Sequence, residues 1–231
     1  MPDETNGLKV VDAHDLPDEV RSLLRPGEMV RDAAGRRHRL PRYFYEVPSY
    51  DDAKLIKLSP SFRLNEFIRV DLREALPLQA FPRYVPCAVR LLAFYLQRVR
   101  EAIGAPLHIS VNGAYRSPAH ERNQPASLHM WGTAADIYRI GPSILNTKEL
   151  IEKYRKDAED VAEEINVLPY GHDADSSDDH LHIDLGYLTY VPREISEDRM
   201  EMPQERPRFA WEERRVGDRR SIERPAEPTE Q

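Results

Sequence analysis

The clearest periodic pattern in the chain runs from Val85 to Ile103. Apolar residues recur there at steps of three and four, while arginine, glutamine and glutamate fill the opposite face. This spacing predicts an amphipathic helix. Gly104 follows as a stop signal and Pro106 prevents a restart, so we expect the helix to end at Ile103.

Farther along the chain, strand-like alternation and helix-like spacing follow one another. Leu107, Ile109 and Val111 alternate with polar residues, as in a strand with one buried face. Residues 112–130 then show neither period, and loops of that length are uncommon and often functional. The other predicted elements are a strand at 133–140, a helix at 149–165 capped by Asn146 or Thr147, and short strands at 167–170 and 180–185.

These elements predict an α+β fold in which a small antiparallel sheet is flanked by helices, with extended N- and C-terminal segments. The expected domain covers residues 56–192. Residues 1–55 are polar and contain several prolines, which predicts an N-terminal extension. Glutamate, arginine and proline dominate residues 193–231, and this composition predicts a mostly disordered, charged tail.

The charge of the chain argues against a nucleic-acid-binding protein. Its 40 acidic residues outnumber its 33 lysines and arginines, and the formal net charge is −7. Five arginines do lie between Arg31 and Arg42, but such a run is more often a solvated face or a loop than an anion-binding patch. Tyr43, Phe44 and Tyr45 follow directly, and we predict that they fold back onto the domain.

The single cysteine and the missing targeting signals indicate which redox chemistry and which compartment to expect. One cysteine, Cys87, excludes a disulfide within the chain and is predicted to be a buried, unreactive thiol. The first residues show no basic region followed by an apolar one, so no secretory signal is expected and the chain is expected to be cytoplasmic at synthesis. No apolar run approaches the roughly 20 residues that a membrane span needs. The oligomeric state is left open.

Residues 180–185 are the first candidate for chemistry. If they form a strand, Leu181, Ile183 and Leu185 point into the core, and His180, His182 and Asp184 share the other face. Two imidazoles and a carboxylate are costly to bury without a partner, and a metal ion would satisfy them. A solvent-exposed polar face is the alternative, and this segment alone does not decide between the two.

Two residues upstream complete a possible ligand set. His129 and Asp136 are separated by small residues, which would let a loop close tightly onto a strand. With a histidine from 180–185 they would supply two imidazoles and one carboxylate. Three protein ligands leave a fourth position open, as in catalytic zinc sites. Imidazole with carboxylate suits zinc, although other divalent ions remain possible.

Three sequence blocks carry a family resemblance. They are Tyr115-Arg116-Ser117, then SLHMWGTAAD from Ser127 to Asp136, then Asp179-His180-Leu181-His182. In type, order and separation they resemble the zinc D-Ala-D-Ala carboxypeptidase family of peptidoglycan peptidases, which shares its fold with the Hedgehog signalling domain. The similarity extends over about residues 58–190. Each block alone is a weak signal, and the combination is a strong one.

The resemblance implies a role for each matched residue. The implied zinc ligands are His129, Asp136 and His182. Asp179 matches the general base, although glutamate often stands there, Asp178 is adjacent, and Asp179 could instead be one of several acids in a loop. The other implied roles are a histidine at His180 that lies behind the zinc ligands or stabilises the oxyanion, an arginine at Arg116 that binds the substrate carboxylate, and pocket-lining serines at Ser117 and Ser127.

The implied activity is zinc-dependent hydrolysis of amide bonds in peptidoglycan stem peptides, by carboxypeptidase or endopeptidase action. Two alternatives stay open: a non-catalytic, zinc-containing binding module and a phage structural module of the same fold. Because a wall enzyme must reach the wall, the missing signal favours release as a phage-type lysin, a cytoplasmic recycling role or a place in a virion.

Overall fold

Helices and strands alternate along the chain in the computed structural model, which describes residues 8–172 and 179–192. The strands are β1 (Lys9–Asp12), β2 (Met29–Arg31), β3 (Arg37–Arg39), β4 (Tyr43–Glu46), β5 (Lys57–Ser59), β6 (Phe62–Arg63), β7 (Tyr84–Pro86), β8 (Leu107–Ile109), β9 (Ala134–Ile140), β10 (Ser143–Ile144), β11 (Asn166–Val167) and β12 (Leu181–Asp184). The α-helices are α1 (Asp18–Leu24), α2 (Tyr50–Leu55), α3 (Leu64–Phe67), α4 (Val89–Ile103) and α5 (Lys148–Glu159). Short 3-10 turns occur at Ala13–Asp15, Leu76–Leu78 and Leu128–Trp131.

A five-stranded antiparallel sheet organises the second half of the domain. Its order is β10-β9-β12-β11, with β8 also paired to β9. A second antiparallel sheet, β1-β4-β7, joins the N-terminal part of the chain to the strand before α4. Hairpins β2-β3 and β5-β6 complete the strands of the described residues. Mixed helix and antiparallel sheet confirm the predicted α+β class, and the specific likeness to the Hedgehog and DD-peptidase fold stays a prediction.

Helix α4 supplies one side of the hydrophobic core. Val89, Leu92, Leu96 and Val99 are fully buried on it, as the apolar spacing predicted. The helix ends at Ile103, where Gly104 adopts the left-handed conformation with φ 70°. It begins later than the sequence predicted, at Val89. The reason is tertiary: the residues before it form β7 and pair with β4.

The predicted elements after α4 are confirmed with shorter bounds. Helix α5 is capped by the Thr147 side chain and ends at Glu159 rather than at residue 165. Beyond it the chain turns, and Arg98 Nη2 on α4 donates to the Val161 carbonyl at 3.2 Å.

Cys87 is a buried free thiol, as expected. Within the described ranges, no helix has the length and apolar character needed to cross a membrane.

Residues 8–55 contribute strands and core residues. Phe44 and Tyr45 of β4 are buried in the main core, so the prediction that this segment folds back is confirmed. The arginine-rich stretch forms the β2-β3 hairpin with its arginines exposed, which confirms the solvated face among the two predicted alternatives. Whether residues 56–192 fold without residues 1–55 stays a prediction. The expected tail, 193–231, lies outside the described residues.

Candidate metal centre

Two neighbouring strands hold opposite sides of the candidate metal site. Asp136 on β9 and His182 on β12 are direct register partners. Side chains at such positions project from the same face of a sheet and lie close together. Leu181 and Ile183 are fully buried on the other face, so the predicted alternation along this strand is confirmed.

The loop before β9 fixes the backbone of Asp136. Its N–H donates to the Gly113 carbonyl at 2.6 Å, and its carbonyl accepts from the Ser110 N–H at 2.9 Å. A Cβ at Gly113 would lie 2.9 Å from the Ser110 carbonyl oxygen and 3.0 Å from that of Asp136. The turn at Asn112-Gly113 therefore includes a close approach of backbone that only glycine permits.

His129, Asp136 and His182 come together as the sequence predicted. One ligand atom from each lies within 4.8 Å of the others. His129 Nε2 is 3.4 Å and His182 Nδ1 is 2.8 Å from Asp136 Oδ1. With zinc–ligand bonds of about 2.0–2.1 Å, ligand atoms of a tetrahedral site stand about 3.3 Å apart. The donor set and its spacing therefore suit a small divalent cation.

His129 is prepared to bind a metal through one nitrogen. Its Nδ1 lies 2.7 Å from the Ala114 carbonyl, a contact that requires a proton on Nδ1 and leaves the lone pair on Nε2 facing Asp136. Burial lowers the pKa of His129 to about 4, so the ring is neutral at pH 7. A neutral imidazole whose second nitrogen is held by a carbonyl is the usual state of a metal ligand.

Opposite charges stabilise Asp136 and His182 beside each other. Although burial opposes ionisation, His129 and His182 hold the pKa of Asp136 well below its usual range. Burial also opposes the charge on His182, but hydrogen bonds to Asp136 and Asp184 raise its pKa to about 9. Asp184 Oδ2 lies 3.5 Å from His182 Nε2 and accepts from Asn166 Nδ2 at 2.8 Å. Asp184 therefore orients the ring of His182.

The His180 imidazole lies beside Asp136, and its other nitrogen contacts Asp179. Its Nε2 is 3.5 Å from Asp136 Oδ1, and its Nδ1 is 2.7 Å from Asp179 Oδ1. The Asp179 carboxylate is 79% exposed, whereas the His180 side chain is 11% exposed. A carboxylate on Nδ1 fixes the orientation of the imidazole and directs Nε2 into the site. Asp178, the other candidate base, lies outside the described residues.

Arg116 borders the site with unused hydrogen-bonding capacity. Its guanidinium is buried, with Nη2 4.0 Å from Asp136 Oδ2. Its Nε has no hydrogen-bond partner among the described residues. Burial lowers the pKa of Arg116 to about 10, which still leaves it charged at pH 7. A buried cation with an unpaired donor is suited to binding an anion.

The two serines expected to line the pocket differ in their surroundings. Ser117 is fully buried, and its hydroxyl donates to Glu74 Oε1 at 2.5 Å and accepts from the Ala119 N–H at 3.2 Å. Ser127 is half-buried and precedes the 3-10 turn that carries His129. Their roles in substrate binding stay predictions. Sequence reasoning missed Glu74, because no motif or period marks it.

The β2-β3 hairpin supports the turn that carries His129. Trp131 is fully buried, and its Nε1 donates to the Arg39 carbonyl at 3.0 Å. Tyr187 packs edge-on against Trp131 and stacks on His38 of β3, with ring centroids 3.5 Å apart in the stack. The N-terminal segment and the residues after β12 therefore meet around the turn that carries His129.

His120 is a buried histidine of the loop that is held neutral. Its Nε2 lies 3.1 Å from Asn112 Oδ1, and its Nδ1 accepts from the Arg122 N–H at 3.0 Å. Burial, together with the charge of Arg116, lowers its pKa to about 4. The His120 imidazole takes up a proton near pH 6.5 in the unfolded chain but only near pH 4 in the folded chain. Stability is therefore lost as the pH falls from 6.5 towards 4.

Replacing His120 with glutamine should flatten that part of the stability profile. The two proteins should differ in slope by up to about 1.4 kcal/mol per pH unit between pH 4 and 6.5, since one proton is involved. Urea unfolding at several pH values measures this slope, with exposed His172→Gln as the control. Parallel profiles for the wild type and His120→Gln would show that His120 takes up its proton equally in both states.

Comparison with known proteins adds a family to this geometry. A family model described as peptidase M15 matches residues 62–184, which is more than half of the chain. Searches among curated proteins and among solved structures gave no significant match. The matched span contains Arg116, the three candidate ligands and strand β12, and it confirms the resemblance to the zinc D-Ala-D-Ala carboxypeptidases. The chain belongs to the peptidase M15 family, whose members are zinc peptidases.

Proposed function

We propose that the protein is a zinc-dependent metallopeptidase that hydrolyses amide bonds in peptidoglycan stem peptides, as a D-Ala-D-Ala carboxypeptidase or endopeptidase. The observation that carries this proposal is the convergence of His129, Asp136 and His182 beside the buried guanidinium of Arg116. A metal-ligand triad alone would suit many functions. The buried guanidinium beside it, whose Nε has no hydrogen-bond partner among the described residues, favours a substrate with a carboxylate close to the scissile bond.

Zinc is the cation that the donor set favours. Two imidazoles and one carboxylate leave room for a fourth ligand, which is the arrangement of catalytic rather than structural zinc. When bound, zinc supplies a Lewis acid that acidifies water and polarises a carbonyl group. In this proposal His129, Asp136 and His182 hold the ion, and Asp184 keeps the ring of His182 in place.

Arg116 binds the substrate carboxylate. A guanidinium and a carboxylate form two parallel hydrogen bonds, and burial strengthens them because water does not compete. The partner-free Nε is one donor available for this contact. Peptidoglycan stems end in D-amino acids with free carboxylates, which is why this substrate class is preferred over internal peptide bonds of proteins.

In this proposal Asp179 transfers the proton, and His180 stabilises the negative charge that develops on the substrate oxygen. Asp179 acts as the general base that takes a proton from the attacking water and returns it to the leaving amine. His180 stabilises the oxyanion of the tetrahedral state from its position near Asp136. The 2.7 Å contact between the two side chains couples their roles, since losing Asp179 also frees the His180 ring.

Replacing Asp179 with alanine should lower kcat by about 100-fold, at the lower end of the usual range for general bases. The KM and the zinc content should stay near wild-type values, because Asp179 is not a proposed ligand. Steady-state hydrolysis of a defined muropeptide, with metal analysis of the same samples, measures this. Exposed Asp157→Ala on α5 is the control. Unchanged kcat in Asp179→Ala would remove the assigned base.

The whole proposal is tested by incubating defined muropeptides with zinc-loaded protein and identifying the products by mass spectrometry. Loss of a terminal D-alanine shows carboxypeptidase action, and cleavage of a cross-linked dimer shows endopeptidase action. Zinc-loaded protein that leaves all muropeptides intact would favour the non-catalytic module. The proposal includes release of the protein to the cell wall in the manner of a phage-type lysin, because its substrate lies there.

A further inference from the structure

Glu74 is a buried carboxylate that no sequence motif marks. It is 2% exposed and lies in the segment before the 3-10 turn at Leu76–Leu78. Its Oε1 accepts from the Ser117 hydroxyl at 2.5 Å and from the Ala75 N–H at 2.9 Å. Its Oε2 accepts from the Ser117 N–H at 3.1 Å. Both carboxylate oxygens are therefore directed at the residue that follows Arg116.

Burying a carboxylate is expensive unless charge and hydrogen bonds compensate it. The hydrogen bonds at Glu74 come from neutral donors. The charge of Glu74 favours the ionised form of Arg116, as that of Asp136 does. Arg116 thus lies among two buried carboxylates, and its charge is balanced while its Nε remains unpaired.

Ser117 is held at every polar atom. Its N–H and hydroxyl donate to Glu74, and its carbonyl accepts from Asn123 Nδ2 at 2.5 Å and from the His120 N–H at 3.0 Å. On the other side of Arg116, the Tyr115 N–H donates to the Phe67 carbonyl at 3.0 Å. The Arg116 N–H itself lies 3.3 Å from the His129 carbonyl. The chain on both sides of Arg116 is therefore fixed in a long loop.

We propose that Glu74 is a positioning residue that holds Ser117, and through it the Arg116 guanidinium, in the orientation that binds the substrate carboxylate. This inference rests on the proposed role of Arg116 as the carboxylate clamp. It assigns Ser117 an indirect part in binding, because the Ser117 hydroxyl is engaged by Glu74 rather than free for substrate. Without Glu74 the guanidinium keeps its charge and loses its fixed direction, which weakens a bidentate contact.

Equilibrium binding tests this inference without requiring catalysis. The probes are N-acetyl-D-alanine and its C-terminal amide, titrated by NMR into the zinc-loaded full chain. Glu74→Ala should weaken binding of the acid about tenfold or more, which corresponds to about 1.4 kcal/mol. Ser117→Ala should weaken it similarly, and the double variant should be no weaker than Glu74→Ala alone, since both act through one contact. Binding of the amide and the zinc content should not change.

Two further variants separate positioning from a merely structural role. Glu74→Gln can still accept from the Ser117 N–H and donate to its hydroxyl, and it loses only the hydrogen bond from the Ala75 N–H, so its affinity for the acid should stay within about threefold of wild type. Exposed Glu121→Gln, in the same loop, is the control. On any muropeptide that the wild type cleaves, Glu74→Ala should raise KM and leave kcat within about threefold.

The inference fails if Glu74→Ala and Ser117→Ala bind the acid as the wild type does, or if they lose the acid and the amide equally. If Glu74→Ala does not fold, Ser117→Ala decides the question. A wild type that binds the acid in the expected pattern but cleaves no muropeptide would contradict the proposed function and leave the role of Glu74 standing. If the wild type hydrolyses muropeptides but Glu74→Ala and Ser117→Ala bind the acid as the wild type does, the proposed function stands and the role of Glu74 is wrong.

Discussion

Replacing His129 with alanine is expected to abolish stoichiometric zinc binding and to lower kcat/KM at least 1,000-fold, or about 4 kcal/mol of transition-state stabilisation. The Ala114 carbonyl fixes the His129 proton on Nδ1 and leaves Nε2 facing Asp136. Alanine removes that donor and leaves two protein ligands, too few to hold a catalytic zinc ion firmly.

Metal analysis after dialysis, together with muropeptide hydrolysis, measures both effects. Exposed His172→Ala serves as the matched control, since it removes an imidazole from the same chain outside the centre. It should retain one zinc ion per chain and full activity. If His129→Ala kept its zinc and its activity, the cation would be bound elsewhere, and the proposed centre would be wrong.

The convergence of His129, Asp136 and His182 could be predicted from sequence because local rules place these residues. Alternation along a strand puts His180 and His182 on one face, and the structure confirms that both face Asp136. Small residues between His129 and Asp136 allow the loop to close onto the strand. The family motifs then select which histidine of the closing strand is the proposed ligand, a choice that alternation alone does not make.

The supporting contacts could not be predicted, because they depend on distant parts of the chain. Glu74 and Ser117 are 43 residues apart, and Trp131 and Arg39 are 92 apart. Neither pair follows from a period or a motif. The same reason explains why the sequence predicted a helix from Val85: pairing with β4, which follows only from the tertiary fold, makes residues 84–86 a strand instead.

The N-terminal hairpin shows how much of a short element composition leaves unpredicted. Its arginines suggested a solvated face or a loop, and Arg31, Arg37 and Arg39 are indeed exposed. Between them on the strands, Val30 and His38 turn inward and pack beside Trp131 and Tyr187. Strands of three residues give too short an alternation to be recognised in the sequence, yet they cover the turn that carries His129.

Replacing Trp131 with alanine should therefore lower the free energy of unfolding by about 3–5 kcal/mol, as for other buried aromatic residues. Trp131 is fully buried and packs in a small cluster with Leu40, Ala126 and Met130. Alanine leaves a cavity there and leaves the Arg39 carbonyl without its donor. Because the cavity lies two residues from His129, zinc affinity should fall as well.

Trp131→Phe separates packing from hydrogen bonding. Phenylalanine keeps most of the aromatic volume and removes the Nε1 donor. It should therefore lower the free energy of unfolding by about 1–2 kcal/mol. Urea unfolding followed by circular dichroism measures all three proteins, and a zinc titration compares their affinities. An unfolding free energy of Trp131→Ala within about 1 kcal/mol of wild type would contradict the assigned role. In that case the hairpin would lie against the domain without supporting the turn that carries His129.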